Sequence, residues 1–292
     1  MGYLQLAGSI ACLVGANLLI KAYQRSAGTG VFSLTAYNIL SSAAVFFSFF
    51  IASGFAFYWT PINLMATAGF GILMVLYNNF KIQSMSLCPL IMTTLAVAAG
   101  GVLIPAIFGF IALGEPVTLL KVIALLLVML SFLPLLRAQK VSLKFPLKAW
   151  MFLGLIILVN GILGILLTVA KLHSQPQYGM DSMGMIYCFH LLATLPTLPA
   201  AVRTVTRPET EGVFRARTVF LAALSGIIQA IGNLLLMQAQ YELPTSVVMP
   251  VSQSGILLFV SVSSMILYRE KLRLPMAISM GIIILAIVLF AI

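Results

Sequence analysis

The chain has 292 residues, of which 62% are hydrophobic and 8% are charged, and its formal net charge is +10. Soluble domains carry about 25% charged residues, so this composition excludes an ordinary soluble protein and indicates an integral membrane protein. A basic excess in a soluble protein would suggest nucleic acid. Here the basic residues lie between apolar segments, so we expect the lipid bilayer as partner and no nucleic acid.

Apolar runs of roughly 20 residues follow one another along the chain, and each is long enough to cross a membrane as a helix. No basic residue precedes the first run, which predicts a retained helix rather than a signal peptide. The runs leave no room for a soluble domain, so any activity belongs to the helices themselves. We predict ten spans, at 4–22, 31–55, 61–80, 89–113, 117–136, 149–172, 184–202, 218–240, 245–268 and 274–292.

The second half of the chain repeats the first, 155 residues later and without a gap. The matched pairs are Asn78 and Asn233, Gln83 and Gln238, Pro89 and Pro244, Gly71 and Gly226, Gly100 and Gly255, and Glu115 and Glu270. Each copy holds five predicted spans, and an odd number places the two copies in opposite orientations. We therefore predict an all-α membrane protein of ten transmembrane helices in two inverted five-helix repeats, an organisation typical of transporters.

The basic residues define the organisation further. Of the 16 Lys and Arg residues, 14 fall in odd-numbered connections between spans, Lys81 among them, and only Lys121 and Lys171 do not. Positive connections stay in the cytoplasm, so both termini are predicted outside, in the plasma membrane (a bacterial inner membrane). The predicted domains are a first repeat at 1–137, a basic cytoplasmic linker at 138–148 and a second repeat at 149–292.

Two junctions carry a resemblance to a known family. The first reads Leu-Gly-Glu-Pro at 113–116 and the second Tyr-Arg-Glu-Lys-Leu at 268–272. Each follows a long apolar helix and precedes a closing helix of about 20 residues. Over essentially its whole length the chain resembles the ten-helix EamA-like members of the drug/metabolite transporter superfamily. This resemblance implies a transporter. Export as the direction of transport is implied by the resemblance and by no other feature of the sequence.

The match at the junctions is partial. Glu115 and Glu270 match the glutamate of the family motif. The glycine before it is present in the first copy as Gly114, but the second copy has Arg269 at that position. The residue after the glutamate is usually basic in the family, and the first copy has Pro116 instead. Familiar members are also drawn with both termini inside, whereas the basic residues here predict both outside.

The repeated residues at the junctions and breaks predict structural roles. A carboxylate beside a helix start can accept hydrogen bonds from free backbone N–H groups and interact with the positive end of the dipole, so we expect Glu115 and Glu270 to cap helices. Two interpretations of the helix breakers stay open, bending during transport and close helix packing. The repeated breakers are Pro89, Pro244, Gly100 and Gly255.

Polar side chains inside a membrane usually face the interior of the bundle. We take these residues as candidate substrate-binding positions, although single polar residues also serve as contacts between helices. His190, which aligns with Asn38, could sense protons, bind an anion or stay neutral against a neighbour. The candidates are Asn17, Tyr37, Asn38, Asn78, Thr94, Asn160, Tyr187, His190, Gln229, Asn233 and Gln253.

The positions of the acidic residues narrow the class of substrate. All six lie at span ends or in connections, so no buried carboxylate favours a permanent cation. We expect a secondary transporter that exports a neutral or zwitterionic metabolite, such as an amino acid, a nucleoside or a sugar. An uptake permease and a flippase for lipid-linked sugars remain alternatives. No motif indicates an enzyme, a metal site or a cofactor, and a homodimer is left open.

Overall fold

The structure is a computed structural model that describes residues 1–28, 30–88, 90–138, 145–203, 211–268 and 274–291. Within these ranges the chain is helical and contains no strand. Two short 3-10 turns, Pro176–Tyr178 and Leu195–Thr197, flank the eighth helix. The helices are α1 Gly2–Ala27, α2 Val31–Ala52, α3 Pro61–Leu87, α4 Leu90–Ala112, α5 Leu119–Leu130, α6 Phe132–Ala138, α7 Leu147–Leu172, α8 Gly179–Thr194, α9 Leu198–Arg203, α10 Ala216–Glu242, α11 Thr245–Tyr268 and α12 Leu274–Ala291.

Among the described residues, seven helical segments are long and apolar enough to cross a membrane: Gly2–Ala27, Val31–Ala52, Pro61–Lys81, Leu95–Ala112, Leu147–Leu172, Gly179–Arg203 and Ala216–Glu242. Three shorter apolar segments occur at Leu119–Pro134, Thr245–Phe259 and Ala277–Phe290. The all-helical membrane class predicted from composition therefore agrees with the described part of the chain.

Prolines explain where helix boundaries depart from the predicted spans. Within the predicted span 117–136 the chain forms one apolar helical segment, Leu119–Pro134, which is interrupted at Ser131 between α5 and α6. Pro134 has no N–H to donate to the carbonyl of residue 130, and its ring crowds that carbonyl. In the same way a 3-10 turn that contains Pro196 separates α8 from α9. α8 also begins at Gly179, five residues before the predicted start.

Lys81 was predicted just after the third span, and the segment that is long and apolar enough to cross a membrane ends at this residue. The helix itself does not end there, because α3 continues to Leu87. Lys, Gln and Ser are all compatible with a helix interior, so the helix runs on past the end of the apolar stretch. The Lys81 ammonium lies 5.8 Å from the centroid of the Tyr77 ring, one turn earlier.

The chain divides into two compact units. Unit 1 consists of Met1–Val75 and Leu166–Tyr241, and unit 2 of Leu76–Ile165 and Glu242–Ile292. Each unit therefore draws on both predicted repeats. Most of the predicted linker, residues 139–144, lies outside the described residues.

In unit 1, α2 packs against α8 and α9. Its core includes Tyr23, Phe32, Ala201, Val213 and Ala222. Small residues bring α1 and α10 together, because a Cβ at Gly8 would lie 3.3 Å from the Leu235 side chain and one at Gly232 would lie 2.9 Å from Leu13.

In unit 2, α4 packs against α11, and α12 packs against α5, α6 and α11. Cys88, Met92 and Ala96 form a core with Ala149, Leu153 and Ile156. α4 and α7 approach each other closely at Gly100, where a Cβ would come within 2.3 Å of the Ile157 carbonyl oxygen. Gly100 therefore serves close helix packing, one of the two interpretations left open for the repeated breakers.

Candidate functional site

Unit 1 gathers seven polar side chains from three apolar helices. α2 contributes Tyr37, Asn38 and Ser42, α8 contributes Tyr187 and His190, and α10 contributes Ser225 and Asn233. We call this set the His190 cluster. Helical spacing explains the grouping, because residues three or four apart lie on the same face. Asn38 and Ser42 are such a pair, as are Tyr187 and His190.

A short hydrogen bond joins α2 to α8 at the centre of the cluster. Ser42 Oγ lies 2.6 Å from His190 Nδ1. The same hydroxyl lies 2.5 Å from the Asn38 carbonyl oxygen, one turn earlier in α2. His190 is only 1% exposed, and its Nε2 has no hydrogen-bond partner among the described residues.

The Tyr187 hydroxyl is the second unsatisfied group of the cluster. Tyr187 is 2% exposed, and its hydroxyl makes no hydrogen bond of standard geometry within the described chain. The Asn233 side chain of α10 interacts with this hydroxyl without reaching that geometry. The Tyr187 and His190 rings meet edge to face, with centroids 6.3 Å apart.

Tyr37 completes the cluster on the α2 side. Its hydroxyl lies 3.1 Å from Ser225 Oγ of α10. Its ring contacts that of Tyr23, with centroids 5.1 Å apart. The Tyr23 hydroxyl donates to the Ser33 carbonyl oxygen at 2.8 Å, so Tyr23 is fully satisfied and supports the cluster from α1.

Two glycines from the sequence repeat position the helices that carry the central hydrogen bond. A Cβ at Gly71 of α3 would come within 2.6 Å of the Ile186 carbonyl oxygen and 2.7 Å of the His190 backbone nitrogen. A Cβ at Gly226 of α10 would come within 2.7 Å of the Ser41 Cβ. Gly71 and Gly226, which are 155 residues apart, therefore pack against α8 and α2, the two helices that the hydrogen bond between His190 and Ser42 joins.

None of the seven cluster residues is acidic. The nearest acid along α8, Asp181, is two turns away from His190, and its Oδ2 accepts a hydrogen bond from the Tyr58 backbone nitrogen at 2.9 Å. The cluster therefore offers hydroxyl, amide and imidazole groups to a ligand and no fixed negative charge. Such a set suits hydrogen bonding to an uncharged polar molecule.

Unit 2 contains a smaller polar group around Gly101 of α4. The Asn160 amide nitrogen donates to the Val97 carbonyl oxygen at 2.7 Å. A Cβ at Gly101 would lie 2.8 Å from Gln253 Cδ and 2.9 Å from Asn160 Nδ2. Pro105 has no N–H for the Gly101 carbonyl, so this turn of α4 carries a main-chain acceptor that lacks its usual helical partner.

Glu115 caps a helix, but not the one that follows it in sequence. Its Oε1 accepts from the Thr245 backbone nitrogen at 2.6 Å and its Oε2 from the Ser246 backbone nitrogen at 2.8 Å, at the start of α11. Gly109 leaves room for this contact, because a Cβ there would lie 2.8 Å from Oε2. Gly114 has φ 65°, a left-handed conformation that lets the chain turn after α4.

The other predicted binding residues are scattered. Asn17 is exposed, and its amide donates to the Leu13 carbonyl oxygen within α1. Gln229 is half-buried on α10, one turn from Asn233. Asn78 is half-buried in unit 2, whereas its repeat partner Asn233 belongs to unit 1.

A few predicted positions cannot be placed in the same way. Pro89 and Glu270 lie outside the described residues, and so does the side chain of Thr94. Gly255 is buried within α11. Pro244 is exposed and immediately precedes α11, consistent with a helix that begins at Thr245.

Sequence reasoning missed Ser42, Ser225 and Gly109. Ser42 lies four residues after Asn38, and Ser225 lies eight residues before Asn233, so helical spacing from a recognised polar residue was the available signal. Gly109 carried no such signal, because its importance depends on the Glu115 side chain.

Of the comparisons with known proteins, the one with solved structures supports the fold. No family model and no curated protein matches the sequence. A solved structure, described only as the crystal structure of a protein, superposes with a TM-score of 0.74 at 14% identity. The alignment covers 99% of this chain and 98% of that chain. At this identity the similarity concerns the fold alone.

Proposed function

We propose that the protein is a secondary transporter that carries a small neutral or zwitterionic metabolite across the plasma membrane, with the His190 cluster as part of its binding site. The observation that carries the proposal is a pair of buried polar atoms between apolar helices, His190 Nε2 and the Tyr187 hydroxyl, which make no hydrogen bond of standard geometry to any described residue. An unsatisfied polar group costs about 1–3 kcal/mol, so its retention in a membrane helix calls for a function.

The proposed architecture is ten spans in two inverted five-helix repeats that move between outward-open and inward-open states. The three shorter apolar segments coincide with predicted spans, which supports a count of ten. The equivalent packing roles of Gly71 and Gly226 support the repeat. The distribution of the basic residues supports both termini outside, and export rests on the resemblance to EamA-like transporters.

The absence of an acidic residue from the cluster supports the proposed substrate class. A permanent cation would lack a counter-charge there, whereas hydroxyl, amide and imidazole groups match amino acids, nucleosides and sugars.

A thermal-shift screen tests the proposal. The purified protein in mild detergent is melted with amino acids, nucleosides, sugars and polyprenyl phosphates. A ligand at about 100 times its Kd adds about 2.7 kcal/mol to the stability of the folded state. We expect one soluble metabolite class to raise the melting temperature, and His190→Gln to abolish the shift.

His173→Gln is the matched control, because His173 is exposed and should leave the ligand-induced shift intact. If polyprenyl phosphates alone stabilise the protein, the metabolite-carrier proposal fails and a lipid flippase replaces it.

A further inference from the structure

The central hydrogen bond of the His190 cluster fixes which imidazole nitrogen carries the proton. Ser42 Oγ is 2.5 Å from the Asn38 carbonyl oxygen and 2.6 Å from His190 Nδ1. Two oxygens at 2.5 Å repel each other unless a hydrogen lies between them, so the single hydroxyl hydrogen of Ser42 points to Asn38. Serine donates to the carbonyl four residues earlier in this way within helices.

The donor in the remaining contact must then be His190. With its hydrogen committed to Asn38, Ser42 Oγ can only accept, so Nδ1 carries the proton of the neutral imidazole. Nε2 is left with a lone pair, and it is this atom that is buried without a partner. His190 therefore presents a hydrogen-bond acceptor, in the tautomer that a free histidine side chain favours less.

We propose that the substrate is a hydroxyl-bearing neutral solute, such as a sugar, a polyol or the ribose of a nucleoside, that donates one hydroxyl hydrogen to His190 Nε2. This inference deepens the proposed transport function and rests on it. The Tyr187 hydroxyl, three residues earlier on the same face, can donate to or accept from a neighbouring hydroxyl of the same molecule. An ionised carboxylate has no hydrogen to donate and would set its lone pairs against the lone pair of Nε2, so such an anion is disfavoured at this position.

The groups around His190 favour a neutral ring over a proton-coupling one. Ser42 and Asn38 face it from α2, Tyr187 lies beside it on α8, Gly71 packs behind it from α3, and Asn233 of α10 lies next to Tyr187. None of these groups is a carboxylate that would stabilise an imidazolium.

Nitrogen-15 NMR of the histidine ring tests the tautomer directly. The chain has two histidines, so His173→Gln leaves His190 as the single labelled ring. We expect a protonated Nδ1 and a bare Nε2 at neutral pH. Ser42→Ala should release the ring to the opposite tautomer, whereas Ser41→Ala, one position away and without a contact to the ring, should not. A proton on Nε2 in the resting protein, or on both nitrogens, would overturn the inference.

Titration with ligands tests the substrate class. Glucose, ribitol and uridine represent hydroxyl-bearing solutes, and succinate represents anions. We expect the Nε2 resonance to move with at least one of the first three and not with succinate. Ser42→Ala should weaken that binding about tenfold, the effect of losing one oriented hydrogen bond. A shift with succinate alone would contradict the proposal.

Failure of the tautomer inference can be distinguished from failure of the proposed transport function. If proteoliposomes move a solute while Nε2 carries a proton, the tautomer inference fails and the transport function stands. If the tautomer is as stated but no solute moves, the transport function fails. Should Ser42→Ala not fold, Tyr187→Phe serves as the second variant, because it removes the other unsatisfied group and leaves the Ser42 bond in place.

Discussion

The contact between Glu115 and α11 makes a quantitative prediction for Glu115→Ala. The substitution removes two hydrogen bonds, of 2.6 and 2.8 Å, from a carboxylate to the first backbone nitrogens of α11. Hydrogen bonds to charged groups contribute about 1.5–3 kcal/mol each to the free energy of unfolding. At a half-exposed site water can bond to the freed backbone nitrogens, so only part of this free energy is lost. We expect a loss of about 2 kcal/mol, at the upper end of the range for helix caps.

The assay is thermal unfolding in mild detergent, followed by far-ultraviolet circular dichroism. A change of 1 kcal/mol shifts the melting temperature of a chain of this size by about 2–4 °C, so Glu115→Ala should lower it by about 4–8 °C. Glu115→Gln keeps one acceptor oxygen and should lose about half as much.

Glu211→Ala is the matched control, because Glu211 is an exposed carboxylate that lies in unit 1. We expect it to change the melting temperature by less than about 1 °C. Because Glu115 is not part of the His190 cluster, KM for the solute should stay constant. Equal melting temperatures for Glu115→Ala and Glu211→Ala would refute the capping role.

Three further substitutions follow from the same contacts. Gly100→Ala should destabilise the protein by about 2–3 kcal/mol in thermal unfolding, because the added Cβ would meet the backbone of α7. Gly154→Ala is the control: its Cβ would meet no atom within 4 Å, so stability should change by less than about 1 kcal/mol. Tyr187→Phe should lower solute flux about tenfold without lowering the melting temperature, because the lost hydroxyl makes no hydrogen bond of standard geometry to the described residues. Tyr23→Phe, which loses a satisfied hydroxyl, should lower the melting temperature and leave KM unchanged. Asn160→Ala should cost about 1 kcal/mol in thermal unfolding, because it removes a 2.7 Å bond between α7 and α4.

Long apolar runs made the helices predictable, and proline placement set the limits of that prediction. The span predicted at 245–268 coincides with α11, which begins directly after Pro244. The helix in the span predicted at 117–136 is interrupted at Ser131, because Pro134 removes a main-chain hydrogen bond without lowering the hydropathy of the run. The apolar stretch predicted at 61–80 gave the end of the span but not the end of α3, because polar residues after Lys81 extend the helix to Leu87.

Five of the seven residues of the His190 cluster could be predicted, because polar residues are rare in so apolar a chain. The structure brings these five together in unit 1: Tyr37, Asn38, Tyr187, His190 and Asn233. Ser42 was not predicted, because serine is common in membrane helices and its role depends on the ring of a residue 148 positions away. Glycines were equally ambiguous, because Gly100 and Gly154 differ only in what packs against them.

Solute counterflow in proteoliposomes tests the central claim most directly. Vesicles loaded with unlabelled glucose, ribitol or uridine are diluted into the labelled compound, and its transient accumulation is measured. We expect saturable accumulation of at least one hydroxyl-bearing solute, which His190→Gln abolishes and His173→Gln does not. Accumulation no greater than in protein-free vesicles across amino acids, nucleosides and sugars would contradict the assignment of this protein as a metabolite transporter.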